Sequence, residues 1–115
     1  MGIASQSTHQ QFPFPQIVVF RAAQHMLPRA GMTITSSDEM LGRIWAKTGM
    51  SAFSWGENIS LLIEAVDEKS CVMSLDSDLK VGINITAAGK HRQNFQKIIY
   101  QVSQCLKYWQ DQKLI

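Results

Sequence analysis

The sequence predicts an α+β domain of two layers: an antiparallel sheet of about five strands packed against a long C-terminal helix and a shorter N-terminal helix. Three observations predict it. Apolar residues recur at helical spacing near both ends of the chain, and between those regions the period falls to two. The charge also changes sign where the last helix begins. From Asp38 to Asp78 there are eight acids against three bases, and from Lys80 to Ile115 six Lys or Arg against one acid, Asp111. A strand-rich acidic middle covered by a basic helix segregates the two kinds of element, as an α+β domain does.

Residues 1–11 are polar, rich in Ser and Gln and without periodicity, and are expected to form a disordered tail ahead of a single domain over 12–115. Each proline of Phe12-Pro13-Phe14-Pro15 disfavours helix in the residue before it, which predicts a short edge strand with its phenylalanines packed inward. Pro15 suits the first turn of a helix. Val19, Ala23 and Met26 share one face, flanked by Phe20 and Leu27, with Arg21, Gln24 and His25 pointing away. Pro28 is expected to end this helix near Leu27, with Gly31 as the exit.

Met32 and Ile34 then alternate with Thr33 and Thr35, and Ser36 to Glu39 forms a turn. Gly42, Ile44 and Ala46 alternate with Arg43, Trp45 and Lys47. A loop over 49–56 carries Met50, Phe53 and Trp55. Ile59, Leu61, Ile63 and Ala65 make the clearest strand face, and Asp67-Glu68-Lys69 turns the chain into Cys71, Met73 and Leu75, a hairpin pattern. Asp76-Ser77-Asp78 is expected to break that strand, and Val81, Ile83 and Ile85 to form a last short one. The closing helix is predicted over Ala88–Gln112. There Phe95, Ile98, Ile99, Val102, Leu106 and Trp109 share a face, and Lys90, Lys97, Gln104 and Asp111 lie opposite.

The 115 residues suffice for one domain with a core that needs neither disulfide nor metal. The net charge of +2 is too small to imply a nucleic-acid or membrane partner by itself. Cys71 falls in a strand pattern and Cys105 on a helix, so both are expected as free buried thiols. Neither has metal-ligand spacing, and no metal or cofactor is expected. No basic start followed by an apolar run opens the chain, and no stretch reaches the length of a membrane span. The expected location is cytoplasmic, without a membrane partner.

Four groups of residues are candidates for function, and each has a structural reading beside it. Gly89-Lys90-His91-Arg92 stands at the start of the long helix, where positive side chains oppose the helix dipole. An anion on the free backbone N–H groups reverses that penalty, and acids such as Asp76 or Asp78 neutralise the cluster equally well. His91 falls on the side of Phe95, at the rim of the core. The loop residues Met50, Phe53 and Trp55 either plug the end of the sheet or line the mouth of a pocket. Arg43, Trp45 and Lys47 share a strand face, an arrangement that suits single-stranded nucleic acid and equally an outer face with cationic stems lying over an indole. Asp76 and Asp78 read as a solvated turn, since the second half of a metal or acid–base site is missing from the local sequence.

Gly42–Ala46 (Gly-x-Ile-x-Ala), Ser54–Glu57 (Ser-Trp-Gly-Glu), Ser74–Ser77 and Gly89–Asn94 (Gly-Lys-x-x-x-Asn), in this order, resemble a pattern in small uncharacterised bacterial domains of similar length. The pattern covers most of residues 16–106. The element order is also similar to a reduced helix-grip domain, in which a curved sheet wraps a long C-terminal helix around an apolar cavity. The resemblance implies the α+β fold and confers no activity.

No complete catalytic set is present, so the expected function is non-enzymatic binding of a small amphipathic or anionic ligand. Its apolar part would lie against Phe53, Trp55 and Phe95, and its charge near Lys90, His91 and Arg92. The alternatives are a homodimer formed through the sheet face bearing Leu62 and Val72, and a nucleic-acid-binding domain using the basic helix.

Overall fold

Alternation of apolar and polar residues is enough to place the central strands, because a half-buried strand hides every second side chain. The computed structural model describes residues 4–48, 58–79 and 87–115. Its elements are β1 (Ala4–Phe12), α1 (Gln16–Arg29), β2 (Met32–Asp38), β3 (Arg43–Thr48), β4 (Asn58–Asp67), β5 (Ser70–Leu79) and α2 (Ala87–Asp111). The strands form one antiparallel sheet in the order β1-β5-β4-β3-β2. Both helices pack on the same face of it, α2 over β1 and β5, α1 over β2, β4 and β5, and the helices also touch each other. This is the predicted two-layer α+β architecture.

The inner face of the sheet is built in rows. Ile34, Ala46, Ile59 and Ser77 form one row, Ile44, Leu61 and Leu75 the next, and Ile63 with Met73 the third. Ile44, Leu61, Ile63, Met73 and Leu75 are fully enclosed. Val19, Phe20, Ala22, Ala23 and Leu27 of α1 and Phe95, Ile98, Val102, Cys105 and Leu106 of α2 complete the core. The outer face carries the alternate set, including Arg43, Trp45, Lys47, Leu62, Val72 and Asp76. There Arg43 lies over the Trp45 ring, 5.6 Å from its centroid, and donates to Ser60 Oγ at 3.1 Å.

One expectation is overturned and others shift. The tail expected to be disordered over 1–11 instead supplies β1 from Ala4, which pairs with β5 over its whole length. Its side chains gave no apolar period because an edge strand can be held by backbone bonds alone. The edge strand expected at Phe12–Pro15 thus ends at Phe12, which is buried, while Phe14 is half-buried against the core. Asp76-Ser77-Asp78 does not break β5, which runs to Leu79. Asp76 points outward and Ser77 inward, continuing the alternation. Helix α1 runs past Pro28 to Arg29, because Pro28 sits in the last turn. Ala30 N–H bonds to the carbonyls of Met26 and Leu27, and Gly31 then takes a positive φ of 84°. Ala65, assigned to the buried face, is exposed; it stands at the register irregularity that precedes Asp67. The strand expected over Val81–Ile85 and the loop over 49–56 lie outside the described residues.

The two ends of the sheet differ. At one end the chain turns tightly. Asp67 Oδ1 accepts from Lys69 N–H and Ser70 Oγ at the β4–β5 turn, which holds its carboxyl below the usual range. Gly42, with φ +70°, closes the β2–β3 connection, and its carbonyl accepts from Ile63 N–H at 2.7 Å. The Gln16 amide at the start of α1 donates to Ile63 O, also at 2.7 Å. Helix, turn and central strand are thereby locked at one point.

Candidate functional site

The opposite end of the sheet holds the described residues that flank the candidate loop. Met32 pairs with Thr48, Lys47 with Asn58, Asn58 with Asp78, and Leu79 with Ala4. Thr48, Asn58 and Leu79 therefore lie along one rim of the sheet. Phe53 and Trp55 lie outside the described residues. Lys90, His91 and Arg92 belong to the first turns of α2, and their side chains are outside the description too.

What the structure adds is the wall leading from that rim. Ala46, Ile59 and Ser77 make the row nearest it, with Ile44, Leu61 and Leu75 behind. Phe95, Ile98 and Val102 stand on α2 as the facing helical stripe. These side chains are apolar and almost wholly buried. Ser77 is the exception, a hydroxyl-bearing residue only 2% exposed, paired with Ile59 across the β4–β5 ladder. Among the described residues it is the buried polar group of the interior. Sequence reasoning missed it by reading Asp76-Ser77-Asp78 as a break. The signal that finds it is the unbroken period of two, Cys71, Met73, Leu75, Ser77.

Two further groups border the interior. Cys71 and Cys105 are free, buried thiols, as expected. Burial pushes the Cys71 thiol up to about 11, and it raises Cys105 as well, with Arg29 pulling the latter back. Neither is suited to nucleophilic work, because the thiolate is the reactive form. Both are expected to resist maleimide in the native protein and to react at once in urea. Rapid labelling of Cys71 in the folded state would contradict its burial. The same shift sets a pH dependence. Below pH 9 the Cys71 thiol stays protonated folded or unfolded, and between about 9 and 11 only the unfolded chain releases the proton. Stability is therefore expected to fall across that window, read from urea midpoints.

At the far end of α2, Trp109 is half-buried and its ring stands 6.1 Å from the ring of His25 on α1, tilted by 45°. His25 was expected to face solvent, and it is exposed while keeping this contact. The Arg29 guanidinium donates to His25 O at 3.2 Å. The ring contact joins α1 to α2, while the Arg29 bond lies within α1. Among the described residues no group of three or more His, Cys, Asp or Glu is placed to hold a metal ion. Nor is any helix among them long and apolar enough to cross a membrane.

No protein-family model matches the sequence, and no curated protein matches it. Solved structures do. The di-domain ARO/CYC BexL from the BE-7585A biosynthetic pathway matches at a TM-score of 0.70 and 12% identity, over 93% of this chain and 47% of its own. The chain thus spans about half the length of that protein. Ara h 8.0201 matches at a TM-score of 0.68 and 12% identity, over 91% of this chain and 99% of its own. A START superfamily protein from Mycobacterium smegmatis matches at 0.59 and 10%, over 87% of this chain and 97% of its own. At such identities the likeness is one of fold. The helix-grip arrangement that the element order resembled is present, with a sheet closing on a long C-terminal helix.

Proposed function

We propose that this chain is a non-enzymatic binding domain for a small amphipathic or anionic molecule, held between the inner sheet face and α2. The observation that carries the reading is the apolar inner face of Ala46, Ile59, Leu61 and Leu75, which shares one core with Phe95, Ile98 and Val102 of α2 and ends at a rim formed by Thr48 and Asn58. The apolar part of the ligand lies along that wall, against Phe95, Phe53 and Trp55. Its polar end meets the start of α2, where Lys90, His91 and Arg92 add positive charge to the helix N-terminus. Sites of this kind are mostly apolar with few polar groups that fix orientation, and Ser77 is one such group beside the wall.

The test begins with native mass spectrometry of the purified protein, which reads bound mass and stoichiometry together. Laurate, an amphipathic anion, then serves as the probe in thermal denaturation. It is expected to raise Tm in the unaltered protein, because a ligand that binds only the native state stabilises it. Trp55→Ala is expected to abolish the rise, and Lys90→Ala with Arg92→Ala to reduce it. A rise that survives Trp55→Ala unchanged refutes this pose. No adduct and no stabilisation at any laurate concentration refutes the binding reading itself.

A further inference from the structure

The sheet has two edges, and they are not alike. The register of β2 shifts between Ile34 and Ser36, the Thr35 hydroxyl is turned onto Trp45 O at 3.2 Å, and the strand ends in Asp38. Strand β1 pairs with β5 at nine successive positions without a shift. It contains no Lys, Arg, Asp, Glu or Pro. Charges, prolines and bulges are the devices that keep a sheet edge from pairing again, and β1 has none of them. Ser7, His9, Gln10 and Gln11 are exposed.

The register also tells which backbone groups of β1 face outward. Asp67 and Ser70 flank a two-residue turn and so make a hydrogen-bonding pair. Counting by twos along β5, Val72, Ser74 and Asp76 then turn their N–H and C=O toward β4. Cys71, Met73, Leu75 and Ser77 turn theirs toward β1. Their partners Phe12, Gln10, Thr8 and Gln6 are bonded to β5. Ser5, Ser7, His9 and Gln11 are left presenting both groups to the outside. A separate observation agrees: Gln11 O accepts from the side-chain amide of its neighbour Gln10, at 3.1 Å, in an exposed setting.

This outward set is its own complement. When two β1 strands run antiparallel about an axis at Thr8, Ser5 meets Gln11 of the second copy and Ser7 meets His9. Every outward residue faces an outward residue, and all nine positions overlap. Thr8 meets Thr8 as the central non-hydrogen-bonded pair, and such Thr–Thr pairs are favourable. A contact of this symmetry is closed, so it ends at two copies. We propose that this protein forms a homodimer by β1-to-β1 pairing centred on Thr8, joining two five-stranded sheets into one. The seam is an edge, distinct from the sheet face and from the ligand rim.

Cross-linking tests both the contact and its register. Across a non-hydrogen-bonded antiparallel pair the Cα atoms stand about 4.5 Å apart, within the range a disulfide spans. Thr8→Cys is therefore expected to give a covalent dimer on mild oxidation, read by intact mass, since Cys71 and Cys105 are buried and do not compete. Gln10→Cys lies opposite position 6 of the second copy, four residues or about 13 Å from its own mate, and is expected to stay monomeric by mass. In sedimentation equilibrium the unaltered chain is expected to dimerise at micromolar concentration. Ser7→Lys with His9→Lys, which sets like charges opposite each other twice, is expected to weaken the dimer at least tenfold with an unchanged far-UV circular dichroism spectrum. A strictly monomeric unaltered chain overturns the proposal. So does a Thr8→Cys chain that fails to cross-link, equal cross-linking through Gln10→Cys, or a dimer indifferent to the lysines.

Discussion

Gly42→Ala is expected to destabilise the native state by about 3 to 5 kcal/mol, through a strained backbone and a broken, half-buried hydrogen bond together. At φ +70° a Cβ is disfavoured on conformational grounds alone. The methyl group would also be driven into Ile63 O, a backbone atom of the central strand, and would stand 2.7 Å from the Gln16 amide nitrogen. Ile63 O cannot retreat cheaply, because Ile63 N–H is already bonded to Gly42 O. The Gln16 side chain must then leave, and the tie between α1 and β4 is lost. Gln16→Ala isolates that last component and is expected to cost only about 1 to 2 kcal/mol. Urea denaturation of the two variants checks the ordering. A Gly42→Ala loss no larger than that of Gln16→Ala would mean that the turn reshapes freely.

The second large effect is expected at Leu61→Ala, about 2 to 5 kcal/mol. Leu61 is fully enclosed in the middle row of the sheet, between Ile44 and Leu75. Both neighbours are held by strand pairing, so they cannot move in to fill the space. The upper part of the range is therefore favoured over the collapse seen at more pliable sites. A small domain has only about 5 to 15 kcal/mol to lose, so this variant should unfold at much lower urea with an unchanged slope. Ala46→Leu probes the same wall from the rim side. There an unoccupied groove would accept the extra atoms and a filled one would be strained, typically by about 1 to 3 kcal/mol. A loss below 1 kcal/mol for Leu61→Ala would show that the middle row is loosely packed.

How far the sequence speaks depends on whether side chains or backbone hold each element. Ile59, Leu61 and Ile63 alternate because one face of β4 meets the helices, and that period is legible. The stripe from Phe95 to Leu106 is legible for the same reason. Strand β1 is not. Of its side chains only Phe12 is buried among those described, and what holds the rest is the backbone ladder to β5, which leaves no trace in composition. The far end of β5 was obscured differently. Asp76 carries a turn-forming side chain, yet it simply points outward while Ser77 takes the inward place that an apolar residue would normally occupy. The candidate site was legible only as a list of residue types, Phe53, Trp55, Lys90, His91 and Arg92. That Thr48, Asn58 and Leu79 lie along one end of the sheet follows from strand order, which no local pattern encodes.

The pairing of the first strand with the fifth also sets an order of events during synthesis. Phe12 finds Cys71, and Ala4 finds Leu79, only after more than half of the chain has intervened. While the ribosome is still making β4, the hairpin β2–β3 and helix α1 can form, but β1 has nothing to bind. Closing so long a loop is slow relative to local pairing, so β1 is the last strand to arrive. With few buried side chains of its own it is also the first to leave. A nascent or partly unfolded chain therefore exposes the inward edge of β5 for as long as β1 is absent, and that interval is when the protein is most exposed to mispairing.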